Sequence, residues 1–199
     1  VSVFKVQQAN QFEGGVKLDL FAHKLNATVS YYNIDVKNST RFEIRNGQNF
    51  LIQDGTQKSN GIDLDIIANP VEGLNIVAGY GYNDNKFTKA APQVEGKRAL
   101  LTPAHVGNIW INYSLPEGIL KGLGLGIGGN YVSDSYFANT DNYTFILPAY
   151  TFIDAAAFYD QPRYRINFKA NNIGNVKSWA IDGRPQKPAN FLVGLAFKF

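Results

Sequence analysis

Tyr164-Arg165-Ile166-Asn167-Phe168-Lys169-Ala170 alternates apolar and polar side chains without a break. A period of two is that of a β-strand, whose successive side chains point to opposite faces. Tyr164, Ile166, Phe168 and Ala170 make one face greasy, and Arg165, Asn167 and Lys169 make the other wet. The same pattern sets Ile62, Leu64 and Ile66 against Asp63 and Asp65, and Phe191, Val193, Leu195, Phe197 and Phe199 against Asn190, Gly194 and Lys198. Extended along the chain, it predicts nine strands, at about 12–21, 24–36, 58–67, 74–82, 104–114, 123–132, 149–159, 163–171 and 189–199. No helical periodicity competes with it.

The links between these strands alternate in length. Short ones are expected at about 21–24, 68–73, 115–122 and 160–162, and long ones at about 37–57, 83–103, 133–148 and 172–188. Long structureless loops are uncommon in a compact soluble domain, whereas a transmembrane barrel has short turns on its inner side and long loops on its outer side. Strand length agrees, because a tilted strand needs about 9–11 residues to cross a bilayer, against about five or six in an average strand. Tyrosine and phenylalanine gather near strand ends, at Tyr31 and Tyr32, Tyr80 and Tyr82, Tyr113, Tyr131, Tyr159 and Phe199. A ring with a polar tip suits the boundary between hydrocarbon and headgroups. A soluble β-sandwich shares the alternation and the turn residues. It rarely combines them with long strands, strict alternation of link length and aromatic strand ends.

Composition sets the bounds. With 199 residues, 45% hydrophobic and 18% charged, the chain has enough apolar material for one folded unit. No apolar run approaches the roughly 18 residues of a membrane-spanning helix, so crossing a bilayer requires strands closed into a barrel that pairs its own backbone amides. The absence of cysteine removes disulfides, thiolate metal sites and a cysteine nucleophile. The 19 basic residues against 16 acidic are too balanced to indicate nucleic acid as a partner. The expected fold is therefore all-β, a transmembrane antiparallel up-and-down β-barrel in the bacterial outer membrane. Its last strand follows a long outer loop and runs inward; counting back, so does the first. An odd count of nine conflicts with the even number such barrels use. Residues 1–199 are thus expected to be the C-terminal part of a larger barrel, with Val1 to Gln11 the tail of an outer loop.

Several local patterns, in order, resemble TonB-dependent outer-membrane receptors, particularly their siderophore-receptor branch. Phe12-Glu13-Gly14-Gly15-Val16-Lys17-Leu18 is similar to the family's E-x-G-x-K strand, one residue longer between Gly14 and Lys17. Ser59-Asn60-Gly61-Ile62-Asp63-Leu64-Asp65 follows, then Asn69-Pro70 and Tyr80-Gly81-Tyr82. Thr102-Pro103-Ala104-His105 with Asn108 looks like the P-x-H-x-x-N strand, and Leu147-Pro148-Ala149-Tyr150-Thr151, Asn171-Asn172-Ile173 and the terminal Phe199 complete the series. The resemblance implies a 22-strand barrel of which about nine C-terminal strands are present, with an N-terminal plug and earlier strands lying upstream. It also implies TonB-dependent uptake, here of ferric siderophores, with the plug, the upstream strands and the TonB complex as partners. Iron would enter only as part of the transported ligand, and no cofactor is expected. Phe197 and Phe199 resemble the terminal signal read by the barrel-assembly machinery. Heme, cobalamin or an oligosaccharide are alternative cargoes, and a small stand-alone barrel of structural or adhesive role is the alternative outside transport.

No enzymatic or metal constellation stands out. His23 and His105 lack a second ligand at a recognised spacing. The run Gly122 to Gly129 has no following Lys-Ser/Thr and no helix to cradle phosphate, and reads as a strand with Leu123, Leu125, Ile127 and Tyr131 facing lipid. Gly124, Gly126 and Gly128, like Gly79 and Gly81, then face the lumen, where they either leave room for the plug or permit curvature. Asp63 and Asp65 share that inner face, where they are expected to pair with basic residues of neighbouring strands or the plug. Arg41, Arg45, Tyr136, Phe137, Trp179 and Arg184 are the outer-loop candidates for ligand contact. The four outer loops carry an excess of basic residues that would draw in anionic solutes such as ferric siderophores; lipopolysaccharide phosphates would fit that excess equally, and outer-membrane lipid is the expected partner of the barrel's outer face.

Overall fold

The computed structural model describes residues 4–45, 48–180 and 183–199, without the side chains of residues 44, 45 and 49. Eleven strands run in order: β1 (Gln8–Leu20), β2 (Leu25–Arg45), β3 (Gln48–Ala68), β4 (Leu74–Lys89), β5 (His105–Ser114), β6 (Leu123–Val132), β7 (Ser135–Asn139), β8 (Thr144–Leu147), β9 (Tyr150–Asp160), β10 (Tyr164–Asn171) and β11 (Asn190–Phe197). Nine form one antiparallel sheet in the order β1-β2-β3-β4-β5-β6-β9-β10-β11, and β7 and β8 make a separate hairpin between β6 and β9. No helix occurs among the described residues. β1 and β11 are the two free edges, so these residues form an open wall.

The alternation sorts the side chains as the sequence predicts. Along the outward face lie Phe12, Val16 and Leu18 of β1, Leu125 and Ile127 of β6, Ile166 and Phe168 of β10, and Phe191, Val193, Leu195 and Phe197 of β11, all exposed. Leu125 is 66% exposed and Val193 77%. Among the described residues the only buried apolar side chains are Ala99, Ala104, Leu147 and Ala170. A water-soluble protein does not leave so large a continuous apolar face bare; hydrocarbon is the solvent that matches it. Aromatic residues border this face at Tyr31, Tyr80, Tyr82 and Tyr131 toward the long links and at Tyr113 toward the short ones. Tyr32, expected among them, faces the other way. It packs on Gly61 of β3, where a β-carbon would strike the tyrosine ring.

Three expected loops prove partly regular. The link at 37–57 is a continuation of β2 and β3, which stay paired to Arg45↔Gln48. Thr40, Phe42 and Ile44 alternate with Arg41 and Glu43, so the strand period persists although both faces are polar enough to suggest a loop. Irregular pairing around Ser39 interrupts the ladder, with Asn38 at φ +56°. The link at 83–103 begins as strand to Lys89, and 133–148 contains the β7–β8 hairpin. At the N-terminus Gln8 to Gln11 belong to β1, because Gln8 pairs with Lys37 on the lengthened β2. At the other end β11 stops at Phe197, leaving Phe199 beyond the sheet.

Turns at the short-link end are tight. Gly73 has φ +82°, and a β-carbon there would run into the Ser114 carbonyl. Only glycine combines that left-handed backbone with so close an approach.

Candidate functional site

Two regions could carry function, the inner face of the wall and the cluster of long loops. On the inner face, Asp63 and Asp65 of β3 stand opposite Gly81 and Gly79 of β4, and Gly79 in turn stands opposite Asn108 of β5. The missing side chains leave a trough into which neighbours lean. A β-carbon on Gly81 would lie 3.1 Å from Asp63 Oδ1, and one on Gly79 would lie 2.6 Å from Asn108 Oδ1 and 3.5 Å from Asp65 Oδ1. With Ser30 and Asn130 these residues line a hollow of about 480 Å³. Of the two partners expected for these carboxylates, basic residues of the neighbouring strands or of the plug, the neighbouring strands supply none. Their cross-strand partners on β2 are Ser30 and Thr28, and no ion pair involves either aspartate among the described residues.

Gly124, Gly126 and Gly128 are buried, but the space above them is occupied. Trp110 of β5 lies across two of them: a β-carbon on Gly126 would come 2.6 Å from Trp110 Cζ2, and one on Gly128 would strike the same ring. Phe158 of β9 covers Gly124 in the same way. The room needed for a plug at these three glycines is thus taken by this chain's own aromatic rings. The outer half of β3 and β4 is amide-rich: Ser59 Oγ donates to Asn83 Oδ1 and Gln57 Nε2 to Asn85 Oδ1, each at 2.7 Å.

Of the loop candidates, Tyr136 and Phe137 sit on β7. The Phe137 ring meets Phe145 of β8 edge to face at 5.8 Å and 87°. The loop after β10 rests on the same ring, since a β-carbon on Gly183 would be 3.2 Å from Phe137 Cε2. That loop carries Trp179, 49% exposed and bridged to Pro185, and Arg184, whose carbonyl accepts from Ala180 N at 2.7 Å. A third loop joins: Leu101 N donates to the Tyr136 carbonyl at 2.8 Å, Asn139 Nδ2 to the Arg98 carbonyl at 3.3 Å, and Lys97 pairs with Asp141 at 2.7 Å. Tyr136, Phe137, Trp179 and Arg184 therefore share one cluster. Arg41 does not enter the contacts of that cluster. Its guanidinium grips Asp54 at 2.7 and 3.1 Å and reaches Glu43 at 3.4 Å within the β2–β3 hairpin. The side chain of Arg45 lies outside the described residues.

The anchor of this cluster is Asn172. It is 3% exposed with φ +50°, a conformation asparagine tolerates better than most residues. Its amide nitrogen donates to the Val176 and Lys187 carbonyls at 2.9 and 3.3 Å, its Oδ1 accepts from Val176 N at 2.9 Å, and its backbone N–H donates to Asp154 Oδ1 at 2.7 Å. Asn172 thus ties both ends of loop 173–188 to the sheet. His105 stands on the outward face with Nδ1 2.7 Å from Tyr80 Oη, and His23 contacts Asp19 in a turn. Among the described residues no group of three or more His, Cys, Asp or Glu could hold a metal.

Comparison with known proteins agrees with this architecture. The family model described as TonB dependent receptor-like, beta-barrel matches residues 3–173. The chain is 29% identical to the ferrioxamine B receptor of Salmonella typhimurium over 167 residues, covering 83% of this chain and 23% of that protein. It is 32% identical to the metal-pseudopaline receptor CntO of Pseudomonas aeruginosa over 156 residues, covering 78% of this chain and 22% of the relative. The chain thus spans less than a quarter of either relative. In structure it is similar to the siderophore receptor PiuA of Acinetobacter baumannii, with a TM-score of 0.78 at 23% identity over 96% of this chain and 28% of that one. The ferric-catecholate import receptor Fiu of E. coli K12 gives 0.77 at 18% identity, again over 96% and 28%.

Proposed function

The chain belongs to the TonB-dependent receptor β-barrel family, whose members reside in the bacterial outer membrane, and from that premise we propose that it forms the C-terminal wall of a transporter for ferric siderophores. A plug and the remaining strands lie upstream in this reading, and coupling to TonB passes through them. The observation that carries the proposal is the loop cluster on a lipid-facing wall: Phe137, Phe145 and Trp179 gathered at one mouth, with three loops tied together beneath them. Aromatic faces and amide donors suit a chelate whose organic shell is partly apolar and partly polar. The named functions of the ferrioxamine B and metal-pseudopaline receptors support a metal chelate as cargo. No covalent step is required, so the wall's part is to hold the ligand at the mouth and line its path.

Uptake of labelled ferric siderophores by iron-starved cells tests this. Cells lacking the full receptor are expected to lose uptake of at least one siderophore and to regain it with the intact gene. A receptor in which residues 135–147 are replaced by a short link is expected to assemble but not to restore it. Normal uptake by the loopless receptor would remove the cluster from ligand binding. Growth dependence on heme, cobalamin or an oligosaccharide, with every siderophore inert, would redirect the cargo.

A further inference from the structure

The last strand of the sheet is held on one side only. Among the described residues β11 pairs with β10 alone, and residues 172–189 separate the two along the chain. A tight turn fixes the register of a hairpin, as residues 161–163 do where Asp160 meets Arg165. A link as long as 172–189 supplies no such constraint. Nor does the outward face supply it. Tyr164, Ile166, Phe168 and Ala170 stand opposite Phe197, Leu195, Val193 and Phe191. A slip of one residue would turn the apolar side chains of β11 into the lumen, so the alternation forbids it. A slip of two passes unopposed. In one direction Ile166 would face Val193 and Phe168 would face Phe191, two rings that already lie stacked at 6.0 Å. In the other Ile166 would face Phe197 and Phe168 would face Leu195. Apolar meets apolar either way.

The inward face tells these registers apart. Toward the long loops, Asn171 Nδ2 donates to Asn190 Oδ1 at 2.9 Å. Midway, Asn167 lies over Gly194, where a β-carbon would come 2.6 Å from Asn167 Oδ1 and 2.9 Å from its Nδ2. At the short-link end, Lys198 Nζ donates to Asp160 Oδ1 at 2.5 Å and to the Gln161 carbonyl at 3.2 Å, and Lys198 N donates to the Arg163 carbonyl at 2.9 Å. A slip in the first direction would drive Leu192 under Asn167, set Pro188 opposite Asn171 and withdraw Lys198 by about 7 Å from its place beside Asp160. The opposite slip would set Leu192 against Asn171, leave Asn167 over Ala196 and bring Lys198 level with Arg165, cation against cation. Arg165 is itself already engaged, 3.6 Å from Asp160 and over the Phe158 ring at 5.1 Å.

We propose that these three inward contacts, Asn171 with Asn190, Asn167 with Gly194 and Lys198 with Asp160, select the register of β11 and so the edge that the full barrel closes on. The proposal rests on membership of the barrel family and is independent of the cargo. A closed barrel of given strand number requires a fixed stagger between its strands. A β11 displaced by two residues would offer its other neighbour an edge out of step by about 7 Å. The outward face of this hairpin matches its solvent, and the inward face encodes its alignment.

Residues 1–199 contain no cysteine, so introduced pairs report the register directly. A disulfide spans Cα atoms up to about 7 Å apart, which admits opposed residues at about 5.5 Å or less and excludes diagonal ones at about 7–8 Å. In the full receptor in outer membranes, with any cysteine outside these residues replaced by serine, Ile166→Cys is combined in turn with Leu195→Cys for the observed register and with Val193→Cys or Phe197→Cys for the two slipped ones. After a lipid-soluble oxidant, linked peptides are counted by mass spectrometry in barrels that migrate as folded. The Leu195 pair is expected to link at least about tenfold more than either alternative. Removing the contacts without adding bulk, by Asn167→Ala/Asn190→Ala/Lys198→Gln, should raise the slipped links at least about tenfold. Moving the notch, by Leu192→Gly/Gly194→Leu/Lys198→Gln, should make the Val193 link dominant. Lys198→Arg, and Asn172→Ala in the loop anchor, should keep the observed pattern. Slipped links that stay at background in the removal variant overturn the proposal whether or not the moved-notch variant folds. So does a moved-notch barrel that folds and still links through Leu195, or a wild type that links equally through all three pairs. A shift produced by Asn172→Ala would hand the register to loop 173–188, and a shift in Lys198→Arg would remove the ion pair from it; either outcome also overturns the proposal.

Discussion

Replacing Leu64 and Asp65 of β3 by arginine, one at a time, separates the two faces of the wall at a single depth. Leu64 points outward between Val29 and Tyr80, whereas Asp65 points inward beside Gly79 into the hollow of about 480 Å³. Leu64 is the next outward residue below Ile62, which puts it about 5 Å inside the level of Ile62. Arginine on the lipid face costs about 2–4 kcal/mol at the midplane and about 0–1 at the interface, so an intermediate cost of about 2 kcal/mol is expected for Leu64→Arg. That is about a thirtyfold shift in the folding equilibrium. Asp65→Arg meets open, polar space, and its expected cost is below about 1 kcal/mol. The assay is urea titration of the full receptor folded into lipid bilayers, read by the heat-sensitive migration of the folded barrel. Equal costs for the two variants, or a larger one for Asp65→Arg, would refute the assignment of faces.

Three further outcomes follow from the contacts. Gly126→Ala should cost about 1–3 kcal/mol by forcing Trp110 aside, and a double-mutant cycle with Trp110→Ala should recover about 1 kcal/mol or more as coupling; strict additivity would mean the ring does not fill that space. Asn172→Ala removes three side-chain hydrogen bonds and places alanine at positive φ. It should weaken the anchoring of loop 173–188 by about 2–3 kcal/mol, seen as faster proteolytic nicking there with the barrel intact. Arg41→Gln should change siderophore affinity less than twofold while speeding amide exchange in the β2–β3 hairpin, because its guanidinium is committed to Asp54 and Glu43; a large affinity loss would return Arg41 to the ligand site.

How far the sequence carried depends on which interaction decided each feature. Strand identity and facing were legible because burial against lipid and exposure to water write a period of two into each strand, as at Tyr164 to Ala170. The nine sheet strands and the short turns followed from that pattern alone. The upper β2–β3 hairpin was not legible as strand, since above the membrane neither face needs to be greasy and the polar run Lys37 to Gln57 imitates a loop. Tyr32 was misplaced because a tyrosine at a strand end suits either face, and only its neighbour Gly61 decides between them. Trp110 and Phe158 were beyond reach for a related reason: filling a glycine gap is a cross-strand event, set by register. The Asn-Asn pair at 171–172 was a usable sign of a left-handed position, but its contacts with Val176 and Lys187 belong to the folded loop.

The inner face is therefore not one surface but two. From β5 to β9, Trp110 and Phe158 lie flat over Gly124, Gly126 and Gly128, which finishes that part of the wall without outside help. From β2 to β5, Gly79 and Gly81 leave a trough bordered by Asp63, Asp65, Ser30 and Asn108, and its carboxylates find no cation on the strands beside them. An unpaired carboxylate is tolerable in a wet lumen and becomes costly once water is displaced from it. Whatever fills the lumen can sit against the aromatic half on shape alone, but must bring donors or positive charge to the acidic half. A plug seated in the proposed transporter would thus be oriented by β3 and β4 and merely supported by β6 and β9. Changing Asp63 and Asp65 together to asparagine should accordingly loosen plug docking, seen as faster amide exchange in the plug of the full receptor, whereas Asn130→Ala at the trough's far rim should not.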